Sequence, residues 1–117
     1  MLFNKTKNKQ IMSKVKIADT HWKKTKGLMF EDKTKFDYAL VFDLGKDAQM
    51  SATIHMMFVF FPIDVVYVDK TKKVVDIVKS LKPFTPSYTP KARSYYFVEL
   101  PEGKASGIEL NDILEWE

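Results

Sequence analysis

The chain has 117 residues, 45% of them hydrophobic and 29% charged, which are ordinary values for one globular domain with a single core. Its net charge of +4 comes almost entirely from lysine, with a single arginine; this favours solvated strand faces over a nucleic-acid surface, which would cluster arginines. The absence of cysteine excludes disulfides and thiolate metal sites.

The first ten residues are polar and rich in lysine. Charge from Lys5 onward leaves no apolar run long enough for a secretory signal, so we expect a cytoplasmic protein with no membrane segment. We treat residues 1–117 as one domain, in which residues 1–10 form a loose extension or an addition to a sheet edge.

Residues 11–17 alternate between apolar and polar side chains, which predicts a half-buried strand. A short helix is expected over residues 21–26, with Trp22 as its packing residue and Gly27 ending it in a left-handed turn. Residues 28–30 are expected to return to the core.

The most apolar part of the chain runs from residue 54 to residue 69. Pro62 cannot donate to a sheet ladder, so it is expected to divide this stretch into strands over 54–60 and 63–69. An earlier apolar run, 38–44, predicts another buried strand.

The second half of the chain continues the pattern of short strands. A tight turn joins 63–69 to a strand over 73–81, a proline-rich loop covers 82–92, and another strand covers 93–100, followed by a turn of helix near 103–107. Seven or eight strands with little helix predict an all-β, mainly antiparallel fold, a compact barrel or sandwich with one or two short helices. An α+β fold is the alternative.

Several motifs occur in the order and spacing of one family. They are Ala18-Asp19-Thr20, Gly27-Leu28-Met29-Phe30, Val41-Phe42, Met56 followed by Pro62-Ile63-Asp64, Val74-Val75, and Ala92-Arg93 with Tyr95 followed by Glu99-Leu100-Pro101 and Gly103. This chain resembles the family called domain of unknown function 192, from about Ala18 to Leu114. The resemblance implies a small, mostly β, barrel-like fold, and it implies no activity. Residues 54–59 resemble the archaeal version, because many bacterial members read F-W-M-K-N-T there.

Asp64 lies within the apolar run, where a carboxylate must be paired, hydrogen-bonded or protonated. Arg93, the one arginine, is its expected partner, because a guanidinium suits a buried carboxylate. Asp19 and Glu99 are alternative partners for Arg93. The pair can be a structural ion pair, Asp64 can instead cap backbone amides, or the pair can serve ligand binding or proton transfer.

The loop 82–92 places Phe84 and Tyr88 between its prolines. Together with Asp64 and Arg93 they are our candidate ligand-binding residues, at the end where this loop meets the strand that begins at 63. The alternative is that the two aromatic side chains anchor the loop on the core.

His55, Met56 and Met57 are soft donors, but adjacent strand residues face opposite sides, so core packing is favoured over a metal site. We therefore predict no catalytic residues, no metal and no cofactor. A non-catalytic binding or accessory module is expected, with an unknown small ligand or protein partner and a monomeric or weakly oligomeric state. The alternative is a small enzyme with a site centred on Asp64 and Arg93.

Overall fold

The computed structural model describes residues 1–18 and 26–117. The strands are β1 (Leu2–Asn4), β2 (Lys9–Met12), β3 (Val15–Ala18), β4 (Ala39–Ala48), β5 (Ile63–Val68), β6 (Val74–Leu81), β7 (Ser94–Pro101) and β8 (Leu114–Trp116). Short 3₁₀ helices cover Lys33–Lys35, Met50–Ala52 and Lys104–Gly107. Trp22 and all but the last residue of the helix expected over 21–26 lie outside the described residues.

The described strands form two sheets. The larger sheet has the order β3-β4-β7-β5-β6, and the smaller has the order β2-β1-β8. All neighbours are antiparallel except β3 and β4, which run parallel. The predicted all-β, mainly antiparallel class is confirmed, although the described strands do not close into a barrel.

The larger sheet is buried on both faces, and β7 at its centre contributes side chains to each. Val98 belongs to the core under the smaller sheet, together with Leu2 of β1. Phe97 belongs to the core on the opposite face, with Leu28 and Val59 from irregular segments. Successive side chains along a strand point to opposite faces of the sheet, so neighbouring residues of β7 belong to different cores.

The first ten residues are ordered, because β1 is the middle strand of the smaller sheet. Leu2 and Asn4 are fully buried, so this segment is not a loose extension. The strand expected over 11–17 is in fact split between β2 and β3, which belong to different sheets. The alternation of apolar and polar residues continues where the chain passes from one sheet to the other. It therefore could not reveal the break between β2 and β3.

Pro62 does precede a strand, as predicted, but residues 54–60 are not a strand. Ile54 forms an isolated bridge with Tyr88, and Phe58 has a left-handed φ of 60°. This segment covers the larger sheet as an irregular layer, which buries some of its apolar side chains and exposes others. The return of 28–30 to the core is also only partly right, because Phe30 is 65% exposed.

The other predicted elements of the second half are confirmed. The tight turn at 69–73 joins β5 to β6, β7 follows the proline-rich loop, and the 3₁₀ helix lies at Lys104–Gly107. Gly27 has the expected left-handed conformation, with a φ of 49°. Within the described part of the chain, no helix has both the length and the apolar character needed to cross a membrane.

Candidate functional site

Asp64 is buried and its carboxylate caps three backbone amides. Oδ1 accepts from the N–H of Ser80 at 3.0 Å, and Oδ2 accepts from Gly103 at 2.9 Å and Ala105 at 3.0 Å. The capping alternative from the sequence is thus confirmed. Asp64 ties the start of β5 to the end of β6 and to the turn after β7.

Arg93 is exposed and donates from Nη2 to the carbonyl oxygen of Asp47 at 3.1 Å. The ion pair expected between Arg93 and Asp64 is therefore wrong. Asp64 lies opposite Leu100 in the sheet, seven residues along the chain from Arg93, which separates the two by about 20 Å at about 3.3 Å per residue. They do not form one site.

Tyr88 acts as an anchor of its loop. Its hydroxyl donates to Oδ2 of Asp76 at 2.7 Å, and its ring packs against Tyr67 with centroids 6.1 Å apart. Burial, together with the hydrogen bond to Asp76, raises the pKa of Tyr88 to about 12. The anchoring alternative therefore describes Tyr88.

Phe84, by contrast, is 41% exposed and belongs to an aromatic patch formed with Phe30, Phe58 and Phe60. Ring centroids are 5.0 Å apart for Phe30 and Phe58, and 5.3 Å apart for Phe60 and Phe84. Phe30, Phe58 and Phe84 all have left-handed φ angles, which are uncommon for bulky residues. The backbone N–H of Phe30 donates to the carbonyl of Phe58 at 2.8 Å, so the loops that carry the patch hold each other in place.

A separate cavity of about 240 Å³ lies on the face of the larger sheet away from the smaller one. Its apolar walls come from Phe42 and Phe97 of the sheet and from Leu28, Ile54 and Val59 of the covering segments. Phe42 and Phe97 stack with centroids 4.4 Å apart. The predicted site residues Asp64, Arg93, Phe84 and Tyr88 do not line it.

Glu99 is the buried polar residue of this cavity. It lies on the central strand β7 between Leu40 and Val65 and is only 6% exposed. Its Oε1 has no hydrogen-bond partner among the described residues. Burial raises the pKa of the Glu99 carboxyl from its ordinary value of 4.5 to about 8, so this acid is mostly protonated at neutral pH.

Gly27 borders the same space. A Cβ at this position would lie 3.5 Å from Cζ of Phe42 and 3.8 Å from Oε1 of Glu99. With its φ of 49°, Gly27 makes the turn that an L-residue adopts only with strain. Its missing side chain also leaves room directly beside the unpaired oxygen.

The other charged residues that line the cavity in the described ranges, Lys26 and Asp43, already have partners. Lys26 donates from Nζ to Oε1 of Glu31 at 2.7 Å, and Asp43 accepts from the N–H of Gly45 at 2.8 Å. Glu99 therefore differs from the other charged groups of this wall in having an oxygen left without a partner.

His55 and Thr53 add neutral polar groups to the wall. Nδ1 of His55 accepts from the backbone N–H of Met57 at 3.1 Å, so the neutral imidazole carries its proton on Nε2. Thr53 shares a hydrogen bond with Thr89 at 2.7 Å between hydroxyl oxygens.

Comparison with known proteins identifies the family. The family model DUF192, described as "Uncharacterized ACR", matches residues 2–116. The chain belongs to the DUF192 family. A UPF0127 protein from Thermococcus sibiricus is 40% identical over 119 residues, covering 100% of this chain and 75% of the relative. A UPF0127 protein from Pyrococcus horikoshii is 40% identical over 118 residues, covering 99% and 98%.

Two solved structures share the fold of this DUF192 protein. A protein of unknown function from Novosphingobium aromaticivorans superposes with a TM-score of 0.78 at 24% identity, covering 87% of this chain and 74% of the other. A protein from Sinorhizobium meliloti, titled a "putative transcription regulator", has a TM-score of 0.78 at 21% identity, covering 86% and 79%. At these identities the likeness concerns the fold alone.

Some residues of the motifs that carry the DUF192 resemblance line the cavity. Gly27 and Leu28 come from the first half of the chain and Glu99 from the last long strand, and all three line it. Sequence reasoning considered Glu99 only as a rival partner for Arg93. Its position in the strand could have singled it out. Glu99 lies two residues after Phe97, on the same face of a strand that is apolar on both faces.

Proposed function

We propose that this DUF192 protein binds a small organic ligand in the Glu99 cavity without transforming it. The observation that carries the proposal is Oε1 of Glu99, which is buried at the cavity wall and has no partner among the described residues. Buried polar groups in native proteins are nearly always hydrogen-bonded. A ligand that supplies the missing bond accounts for the unpaired oxygen.

The dimensions of the cavity limit the ligand. An engineered apolar cavity of about 150 Å³ holds benzene, and this one has about 240 Å³. Its walls are mainly apolar, with polar groups at a few positions, which is the usual composition of a small-molecule site. We expect a ligand with an apolar body of about one ring and one polar group directed at Glu99.

Binding is favoured over catalysis by the isolation of Glu99. An acid–base catalyst exchanges its proton with a group within hydrogen-bond reach. Among the described residues no second titratable side chain is hydrogen-bonded to Glu99. The enzyme alternative centred on Asp64 and Arg93 has no support from their positions, which are about 20 Å apart along β7.

A thermal-shift screen tests the proposal. The library should contain one-ring compounds bearing amine, alcohol, amide or carboxylate groups, measured with wild type, Glu99→Leu and Glu102→Gln. Glu99→Leu keeps a similar volume and removes the unpaired polar group, so this variant should fold with at least wild-type stability. Glu102→Gln changes an exposed carboxylate of the turn that follows β7 and serves as the matched control.

The expected result is a set of compounds that stabilise wild type and Glu102→Gln but lose their shift in Glu99→Leu. Stabilisation follows from binding to the native state alone. Compounds whose shifts persist unchanged in Glu99→Leu would place binding elsewhere. A library without any stabilising compound at millimolar concentration would also overturn the proposal.

A further inference from the structure

Resting on this proposed function, we propose that the ligand is a small organic cation whose ammonium group pairs with the carboxylate of Glu99. Its apolar body would occupy the space between Phe42, Phe97 and the covering side chains Ile54 and Val59. Three features support this class of ligand: the charges of the wall, the space beside Oε1, and the small cost of ionising Glu99.

The described wall of the cavity has no excess of positive charge although the protein is basic. The whole chain carries a net charge of +4, yet the charged residues of this wall in the described part of the chain are Lys26, Asp43 and Glu99. The positive charge of Lys26 is directed to Glu31, with 2.7 Å between Nζ and Oε1. Asp43 and, once it is ionised, Glu99 are therefore left to set the local charge, and both favour a cation.

Gly27 borders the space beside Oε1 where a ligand group would sit. It presents no Cβ there, whereas a Cβ at this position would lie 3.8 Å from Oε1 of Glu99 and would narrow the approach to that oxygen. An ammonium group has three donors and no acceptor, so it can serve an oxygen that receives no hydrogen bond. It needs no donor from Glu99 in return.

The cost of ionising Glu99 is small enough for a cation to meet. With a pKa of about 8, about one tenth of the unliganded carboxyl is ionised at pH 7. A cation that requires the carboxylate form thus loses about tenfold in affinity at pH 7, and this loss disappears above pH 8. Attraction between unit charges in a partly buried site exceeds that loss.

A neutral ligand would show a different dependence on pH. An alcohol or amide would bond to the protonated carboxyl, so its affinity would be constant below pH 8 and would fall above it. In the described part of the chain, the titratable and charged groups around Glu99 are Lys26, Glu31, Tyr38, Asp43, His55 and Tyr67. His55 contributes an imidazole to the cavity wall, so it needs its own control.

The test compares cyclohexylmethylamine with cyclohexylmethanol, which have the same shape. The primary amine stays cationic from pH 6 to pH 9, as a lysine does. Calorimetry over this range is expected to show amine affinity rising up to about tenfold per pH unit and levelling near pH 8. Measured at pH 6.5 in two buffers with different ionisation enthalpies, amine binding should release about one proton.

Variants assign the proton to its residue. Glu99→Gln should abolish the rise with pH and reduce amine affinity at pH 8 by at least about tenfold. His55→Asn and Glu102→Gln should both retain the rise. If the rise persists in Glu99→Gln and vanishes in His55→Asn, the inference is wrong.

The two proposals fail in different ways. If the alcohol binds more tightly than the amine, or if amine binding releases no proton, the cation inference is overturned while ligand binding in the cavity stands. If neither probe binds at any pH and neither perturbs amide resonances of the cavity residues, both proposals are overturned.

Discussion

Asp64 and Glu99 are buried acids on neighbouring strands, and their surroundings differ completely. In the sheet, Asp64 pairs with Leu100 and Glu99 pairs with Val65, so the two acids sit one position apart. The carboxylate of Asp64 receives three backbone N–H groups, whereas Oε1 of Glu99 has no partner among the described residues. Burial alone therefore does not distinguish the two acids, whereas their hydrogen bonds do.

Position in the sheet explains the difference. Asp64 lies at the start of β5, where the turn at 103–105 and the irregular backbone at Ser80, with its φ of 53°, present free N–H groups. Glu99 lies in the middle of β7, between β4 and β5, where the ladder uses the neighbouring amides. An acid at that position can be satisfied only by another side chain or by a ligand.

The largest effect is expected from Asp64→Asn. The substituted amide can accept at only one oxygen and turns its NH₂ group toward at least one backbone donor. Charge-assisted hydrogen bonds contribute about 1.5–3 kcal/mol each and neutral ones less. We therefore expect a loss of about 3–4 kcal/mol in the free energy of unfolding, measured by urea denaturation. A loss below about 1 kcal/mol would mean that the three amides do not depend on this carboxylate.

The next largest effect is a dependence of stability on pH. It comes from Glu99, an acid that burial keeps protonated, whereas the effect at Asp64 comes from an ionised acid held by hydrogen bonds. The folded-state pKa of about 8 lies above the ordinary value of 4.5, so between these values the folded state holds a proton that the unfolded state releases. Stability therefore falls as pH rises through this window and is constant below and above it. Relative to Glu99→Gln, wild type should lose about 3 kcal/mol between pH 5 and pH 7.5.

The control for this comparison is the variant itself, because glutamine does not titrate. Denaturant midpoints of wild type and Glu99→Gln should coincide near pH 4 and separate steadily toward pH 8. Parallel curves over the whole range would show that Glu99 keeps an ordinary pKa.

The smallest effect is expected from Arg93→Ala. Arg93 is exposed and donates one hydrogen bond, to the carbonyl oxygen of Asp47, so its removal should cost less than about 1 kcal/mol. A double-mutant cycle with Asp64→Asn should be additive within about 0.5 kcal/mol, since residues this far apart do not interact directly. A coupling energy above about 1 kcal/mol would instead support the ion pair between Asp64 and Arg93 that the sequence suggested.

Much of the fold was predictable from sequence because its signals are local. Pro62 predicted the start of β5, the turn at 69–73 predicted the hairpin with β6, and apolar strand composition predicted β7. The failures occurred where an apolar pattern has two structural solutions. Residues 54–60 resemble a strand in composition but cover one face of the sheet as an irregular layer, with Ile54, Met56 and Val59 packed into the core.

The candidate site was only partly predictable. Asp64 was correctly singled out as a buried acid, and capping of amides was among its open roles. Arg93 was assigned as its partner because the sequence contains one arginine, a criterion that ignores distance. The structure gives Phe84 and Tyr88 different roles, since Phe84 belongs to the exposed aromatic patch and Tyr88 anchors its loop. This difference depends on the conformation of the loop rather than on residue type.

The sequence by itself determined the family through its motifs, and it determined the fold class and the positions of β4, β5, β6 and β7, because apolar strand composition, proline and turn residues act within a few neighbours of the chain. Only the tertiary structure decided which acid is satisfied. Asp64 obtains donors from residues 16 to 41 positions away, whereas Oε1 of Glu99 obtains none from the described residues although Gly27, 72 positions away, borders it. Hydrogen-bond completeness is set by the packing of distant segments, and local sequence contains no record of it.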